Sequence, residues 1–277
     1  MEFINDSDRF DQHFLCDENV INKFIVSSDL NENDIVVEIG PGKGNISEKI
    51  VKKVKKLYCI ELDKRLEPYL SALAMKNKNV EIIYGSALDV FIPDCDKIIT
   101  SLPYSIIEPF MYKMIKCKFE NLIMITGNKF AQNVAEKKFT RLSLLTNCFF
   151  NSYIIDIIPP TCFKPQPRVM SAMIKLSHAY EENLEYEFLF FRYMFLLNHK
   201  KIKNALIESF IKFDKKFGNE LTQRESKKIV ESLNLNCELL ETKFEVCSNE
   251  QLEIVFDVVK KLLYDTHRHS TISKKNI

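Results

Sequence analysis

The chain has 277 residues, 46% hydrophobic and 28% charged, and its 39 basic and 38 acidic side chains leave a formal net charge of +1. This composition excludes wholesale disorder, collagen-like repeats and membrane-barrel patterning, and the length accommodates one large domain or a medium one with a small appendage. Charge is uneven: residues 1–50 hold 4 basic against 11 acidic side chains and residues 51–277 hold 35 against 27, which permits a polyanionic partner on the later part without requiring one.

In chain order, Asp17 is an N-cap candidate for a helix carrying Val20, Ile21, Phe24 and Ile25, expected to pack on a sheet edge. Five short β-branched runs follow at 35–39, 57–61, 80–84, 97–101 and 121–126. Stretches with helical spacing separate them, such as Ile46, Ile50, Val51 and Val54, then Leu66, Tyr69, Leu70 and Leu73. Strands alternating with helices predict βαβ units and a doubly wound α/β sheet covered on both faces. Residues 153–176 read as two strands joined by a loop in which Pro159, Pro160, Pro165 and Pro167 forbid helix. From about 184 the pattern is purely helical, through Phe188, Phe191 and Phe195, then Ile202, Leu206 and Phe210, then segments from Thr222 and from Asn249. Residues 212–219 read as a connection and the last dozen as a frayed basic tail.

Glycine is scarce, with 6 residues, yet Gly40, Gly42 and Gly44 fall within five positions at the end of the first strand of the α/β unit. Glycines there let the backbone turn tightly and let a ligand lie against it, at the carboxyl ends of the strands where open α/β sheets bind ligands. The spacing is G-x-G-x-G, which disfavours a dinucleotide or a triphosphate, and Glu38 directly before the turn suits a cationic ligand better than a polyphosphate. Glu61 ends the second strand about 20 residues on, where a carboxylate can accept both hydroxyls of a ribose. Ser101-Leu102-Pro103-Tyr104 ends the fourth strand. In it an acceptor side chain and the next backbone carbonyl can hold the two hydrogens of an exocyclic amine while the ring stacks on an extruded base. The 8 cysteines lie at least ten positions apart, which predicts reduced, mostly buried thiols and no metal. No apolar run reaches 18 residues and the N-terminus is acidic, so neither a membrane span nor a secretory signal is expected; the expected compartment is cytoplasmic.

These segments together resemble the KsgA family of S-adenosylmethionine-dependent rRNA adenine N6-dimethyltransferases, closest to its archaeal and eukaryotic branch. The resemblance runs through Gln12-His13-Phe14-Leu15, VEIGPGKG, IELD, Gly85-Ser86-Ala87-Leu88, SLPYSII and Arg141-Leu142-Ser143. It continues through Pro159-Pro160-x-x-Phe163-x-Pro165-x-Pro167-x-Val169-x-Ser171 to His199-Lys200-Lys201-Ile202-Lys203-Asn204-Ala205-Leu206. It implies a Rossmann-like methyltransferase domain over 1–178 and a small all-α, rRNA-binding domain over 179–277. The implied cofactor is S-adenosyl-L-methionine, with His13 and Leu15 closing over it, Gly40 against its methionine moiety, Glu61 on the ribose, and Ser86 facing the adenine ring. Ser101 would meet both cofactor and target amine, Leu102 would lend its carbonyl, and Tyr104 and Phe163 would sandwich the flipped adenine. The implied substrate is a pair of adjacent adenosines in a hairpin loop near the 3′ end of small-subunit rRNA, on the immature small ribosomal subunit, and the expected state is a monomer. Arg192, Lys200, Lys201, Lys203, Arg268, Lys274 and Lys275 are candidate phosphate contacts.

Three positions depart from the family pattern: Asp11 stands where glycine is usual, Ser86 where Asp is usual, and Ser101 where Asn is usual. Losing a charged hydrogen bond at 86 would weaken cofactor affinity by roughly 1.5–3 kcal/mol. Two other readings stay open on the sequence: an assembly factor of the same fold with weak or lost methylation, and a methyltransferase acting on another RNA.

Overall fold

The computed structural model describes residues 13–273; Asp11, Gln12, Lys274 and Lys275 lie outside the described residues. The described chain divides into two compact units, one holding the residues through Ala135 with Phe150–His178, the other Glu136–Phe149 with the residues from Ala179.

The first unit opens with β1 (Phe14–Leu15) and α1 (Glu18–Ser27), whose N-cap Asp17 accepts from the amides of Asn19 and Val20 as its side-chain chemistry predicts. Then come β2 (Ile35–Ile39), the single turn α2 (Ser47–Ile50), β3 (Lys56–Glu61), α3 (Glu67–Lys76), β4 (Val80–Tyr84) and β5 (Lys97–Ser101). After them follow α4 (Ile107–Met114), β6 (Asn121–Gly127) and α5 (Asn128–Ala135). The chain then enters the second unit for α6 (Arg141–Phe149) and returns for β7 (Phe150–Ile158), β8 (Phe163–Lys164) and β9 (Ser171–His178).

Seven strands form one sheet in the order β4-β3-β2-β5-β6-β9-β7, with β4 to β6 paired parallel and β9 paired antiparallel to both β6 and β7. The order reverses at β2, with β3 on one side and β5 on the other, so a crevice opens at the carboxyl ends of these strands. The β-branched runs make the central strands because both sheet faces are buried: Val36, Val37, Leu57, Cys59, Ile98 and Ile99 are almost wholly enclosed. Against the expectation of an edge helix, Ile21, Phe24 and Ile25 of α1 share one apolar cluster with Val36, Ile99, Ile123 and Met173 of interior strands. β1 and β8 make a separate two-stranded ladder, Phe14 opposite Lys164 and Leu15 opposite Phe163.

The second unit is helical: α6, α7 (Tyr186–Leu196), α8 (Ile202–Lys216), α9 (Gln223–Ser232), α10 (Cys237–Glu241) and α11 (Asn249–Ser273). α7 is its centre, with Phe188, Leu189, Phe190, Phe191, Tyr193, Met194 and Phe195 all buried. Phe190 meets Phe210 at 4.6 Å, and Phe191 meets Phe256 at 5.2 Å. A first domain unbroken over 1–178 is corrected at 136–149. There α6 buries Leu144, Leu145, Cys148 and Phe149 and packs on α7 and α11. The connection expected at 212–219 is also corrected: α8 continues to Lys216 because Phe213 is buried against Tyr186 and Phe190. No proline or glycine interrupts 249–273, and the segment expected to fray continues α11 as far as Ser273.

Arg192 is half-buried, with part of its guanidinium committed within the helical unit. Its guanidinium donates to the carbonyls of Cys148 and Ala179 and stacks 4.9 Å from the Phe149 ring centre. Lys200 pairs with Glu208 at 2.6 Å, and Lys201 and Lys203 share Glu241 at 2.7 and 3.8 Å. All eight cysteines are free thiols, and four, Cys59, Cys148, Cys162 and Cys247, are buried, fewer than expected. Among the described residues no helix is long and apolar enough to cross a membrane, and no cluster of His, Cys, Asp or Glu could hold a metal ion.

Candidate active site

The glycine turn leaves β2 with Gly40 at φ +71° and Gly42 at φ +59°, the left-handed region that side chains disfavour. A Cβ on Gly42 would lie 2.9 Å from Phe14 Cδ1, so the β1 segment and the turn fit together only because Gly42 is bare. A Cβ on Gly40 would lie 3.6 Å from the Ser101 carbonyl oxygen, projecting into the gap between the turn and the end of β5. Thr100 ties the same two strands by donating to the Ile39 carbonyl at 2.9 Å. Across the mouth, the Asn45 side chain donates through Nδ2 to the Leu15 carbonyl at 3.4 Å, and the Cys16 backbone amide donates to the Cys162 carbonyl at 2.8 Å. The short β1 and β8 ladder is thereby anchored to the turn.

Glu61 ends β3 with its carboxylate fixed at both oxygens: Oε2 accepts from the Gly42 amide at 3.1 Å and Oε1 from the Asp63 amide at 2.8 Å. Burial raises its pKa, and those amides pull it back. Behind it lies Glu38, wholly buried, with Cys59 Sγ 3.9 Å from Oε2. Burial pushes the Glu38 carboxyl up to about 7, and the Glu61 carboxylate acts in the same direction.

Around these groups is a cavity of about 410 Å³, inside the range of roughly 300–1,000 Å³ usual for small-ligand pockets. His13, Leu15, Gly40, Glu61, Ser86, Ser101, Leu102, Tyr104 and Phe163 all line it, although they come from widely separated segments. The His13 ring Nδ1 sits 2.9 Å from the Pro165 carbonyl, bracing the first of these segments on the proline loop. Ser86 accepts from the Leu88 amide at 3.1 Å, capping its own turn. Tyr104 begins the 3₁₀ turn Tyr104–Ile106, and its hydroxyl lies 2.7 Å from Ser171 Oγ. Phe163 is 2% exposed, in β8 beside the apolar core, so burial and cavity lining coexist in this one ring. Reading by residue type passed over Lys43, Ile125 and Ser171, which also line the cavity. Ser171 closes the proline motif and Lys43 sits inside the glycine turn, so both lay within segments already singled out.

The family model described as ribosomal RNA adenine dimethylase matches residues 4–242. The chain belongs to this family. It is 36% identical over 206 residues to the probable ribosomal RNA small subunit methyltransferase A of Methanococcoides burtonii, covering 72% of this chain and 76% of that one. To the protein of the same name from Methanococcus vannielii it is 32% identical over 250 residues, covering 87% and 91%. The crystal structure of a dimethyladenosine transferase from Plasmodium falciparum superposes with a TM-score of 0.62 at 21% identity, covering 90% of this chain and 98% of that chain. That of the 23S rRNA methyltransferase ErmE gives 0.58 at 20% identity, covering 89% and 99%. Both show the Rossmann-like fold with its helical C-terminal region.

As a ribosomal RNA adenine dimethylase, the chain is an S-adenosylmethionine-dependent methyltransferase, and the expected fold class, enzyme class and cofactor are all borne out. The cavity suits that cofactor. Its glycine turn presents bare backbone and the fixed Glu61 carboxylate retains lone pairs for hydroxyl donors, whereas Glu38, expected to favour a cationic ligand, is buried behind Glu61 and does not line the cavity.

Proposed function

We propose that this protein dimethylates N6 of two adjacent adenosines in a hairpin loop near the 3′ end of small-subunit rRNA, acting as a cytoplasmic monomer on the immature small ribosomal subunit. The observation that carries the reading is the convergence of the glycine turn, Glu61, Ser86, the Ser101–Tyr104 segment and Phe163 on one cavity. Two relatives named as small-subunit methyltransferases support the choice of subunit.

S-adenosylmethionine, when bound, supplies an electrophilic methyl group to a nucleophile aligned with its sulfonium. Gly40 would hold the methionine moiety, Glu61 would accept from the ribose hydroxyls, Ser86 would hold the adenine ring, and His13 and Leu15 would cover the cofactor. Tyr104 and Phe163 stack on the two faces of an extruded adenine, a contact worth about 1–3 kcal/mol per base. In the first transfer the Ser101 hydroxyl and the Leu102 carbonyl accept from the two N6 hydrogens, and in the second one of them accepts from the single hydrogen that remains; both arrangements direct the nitrogen lone pair at the methyl carbon and oppose the positive charge that develops on nitrogen. The proton then leaves to solvent. Residues of the helical unit hold the RNA by its phosphates and by the shape of its helix.

Cofactor binding by calorimetry, combined with transfer of labelled methyl groups to immature small subunits, tests this reading. Both are expected. Subunit binding without methyl transfer would instead support the assembly-factor reading.

A further inference from the structure

We propose that Ser171 is a positioning residue of the methyl-transfer site, holding the Tyr104 ring in its stacking orientation through the Tyr104 hydroxyl. This rests on the reading of Tyr104 as a stacking partner of the target adenine.

Ser171 opens β9, is fully buried and lines the cavity, and its Oγ lies 2.7 Å from the Tyr104 hydroxyl oxygen. β9 pairs antiparallel with β6, and the residue directly opposite Ser171 is Gly127. A Cβ on Gly127 would lie 3.5 Å from Tyr104 Cγ and Cδ2 and 3.6 Å from Cδ1, so the ring root rests on Gly127. One cross-strand pair therefore holds the tyrosine at both ends: bare backbone supports the root of the ring, and a hydroxyl pins its tip.

Both strands are interior to the sheet, β6 between β5 and β9, and β9 between β6 and β7, so the two anchor points are fixed to each other by ladder hydrogen bonds. A tyrosine side chain has two torsions, and restraint at its root and tip removes freedom from both before any base arrives. A ring immobilised in advance loses less entropy when it stacks and keeps the amine aligned for transfer. The hydroxyl pair is neutral, so this restraint is independent of charge in the site, and each partner would leave the other an unsatisfied group if removed.

The test is a double-mutant cycle in steady-state methyl transfer to immature small subunits, with Tyr104→Phe, Ser171→Ala and the double variant, plus Tyr104→Ala as a separate arm. Calorimetric binding of S-adenosylmethionine to each sample confirms a folded cofactor site. Tyr104→Phe and Ser171→Ala are each expected to lower kcat by roughly 3- to 10-fold, the range for one neutral hydrogen bond, with KM for the cofactor unchanged. The double variant is expected to fall no further than either single one, because both delete the same bond. An unchanged rate in Ser171→Ala overturns the proposal, and so does a double variant whose loss is the product of the two single losses, which would place Ser171 against the substrate itself. A wild-type rate in Tyr104→Ala overturns the stacking reading. A crippled Tyr104→Ala with a multiplicative cycle overturns the Ser171 proposal alone.

Discussion

The Gly42 amide donates to Glu61 Oε2 at 3.1 Å, joining the glycine turn after β2 to the carboxylate at the end of β3. With the Asp63 amide on Oε1 at 2.8 Å, it leaves the carboxylate one orientation. Glu61→Gln puts an NH₂ against one of these two donors, so the side chain must turn away or lose a bond. S-adenosylmethionine affinity by calorimetry is expected to fall about 10- to 100-fold, the range for one charge-assisted hydrogen bond. An unchanged dissociation constant would remove Glu61 from the binding site.

Gly42 carries a second, steric constraint. In Gly42→Ala the new Cβ meets Phe14 Cδ1 at 2.9 Å and Cε1 at 3.0 Å, on a backbone held at φ +59°. Urea denaturation is expected to show a loss of about 1–3 kcal/mol, from overpacking and the left-handed backbone together. Wild-type stability would mean that the β1 segment is not seated on the turn.

Glu38 sets a pH dependence. Its carboxyl is raised from 4.5 to about 7 in the folded chain, chiefly by burial. Between those values the unfolded chain gives up a proton that the folded chain keeps, so this group's contribution to stability is present below 4.5 and is lost as pH rises to 7. The loss is about 3 kcal/mol. Glu38→Gln has no such slope, so its stability relative to wild type is expected to improve by about that amount between pH 4.5 and pH 8 in denaturant titrations. A pH-independent difference would mean that Glu38 does not titrate in this window.

The proposed mechanism makes Ser101 the acceptor for the target amine. Ser101→Ala is expected to lower kcat by about 10- to 1000-fold, with cofactor binding much less affected, as for loss of one hydrogen bond made in the transition state. An unchanged rate refutes the assigned role.

Much of the fold was legible because its signals are local. The runs at 35–39, 80–84 and 97–101 are β-branched and bounded by turn residues, and each forms a strand over those same positions. Asp17 before α1 and Thr222 before α9 cap through their own side chains, which is chemistry written at single positions. What escaped the sequence depends on distant partners. α6 is buried on almost every side, so its apolar pattern names no face, and nothing local assigns it to the helical unit. Phe163 pairs with Leu15 across 148 positions, and Ser171 meets Tyr104 across 67, so these relationships exist only once the sheet is assembled. The residues that line the cavity could be named from motifs, but the contact between the Ser171 and Tyr104 hydroxyls could not.

The reaction itself is tested most directly by mapping the modified nucleosides. Small-subunit rRNA incubated as immature subunits with S-adenosylmethionine and the purified protein would be digested and read by mass spectrometry, with Ser101→Ala in parallel. The expected result is N6,N6-dimethyladenosine at two adjacent positions of the hairpin loop near the 3′ end, strongly reduced with the variant. Unmodified loop adenosines, or dimethyladenosine in large-subunit rRNA alone, would contradict it.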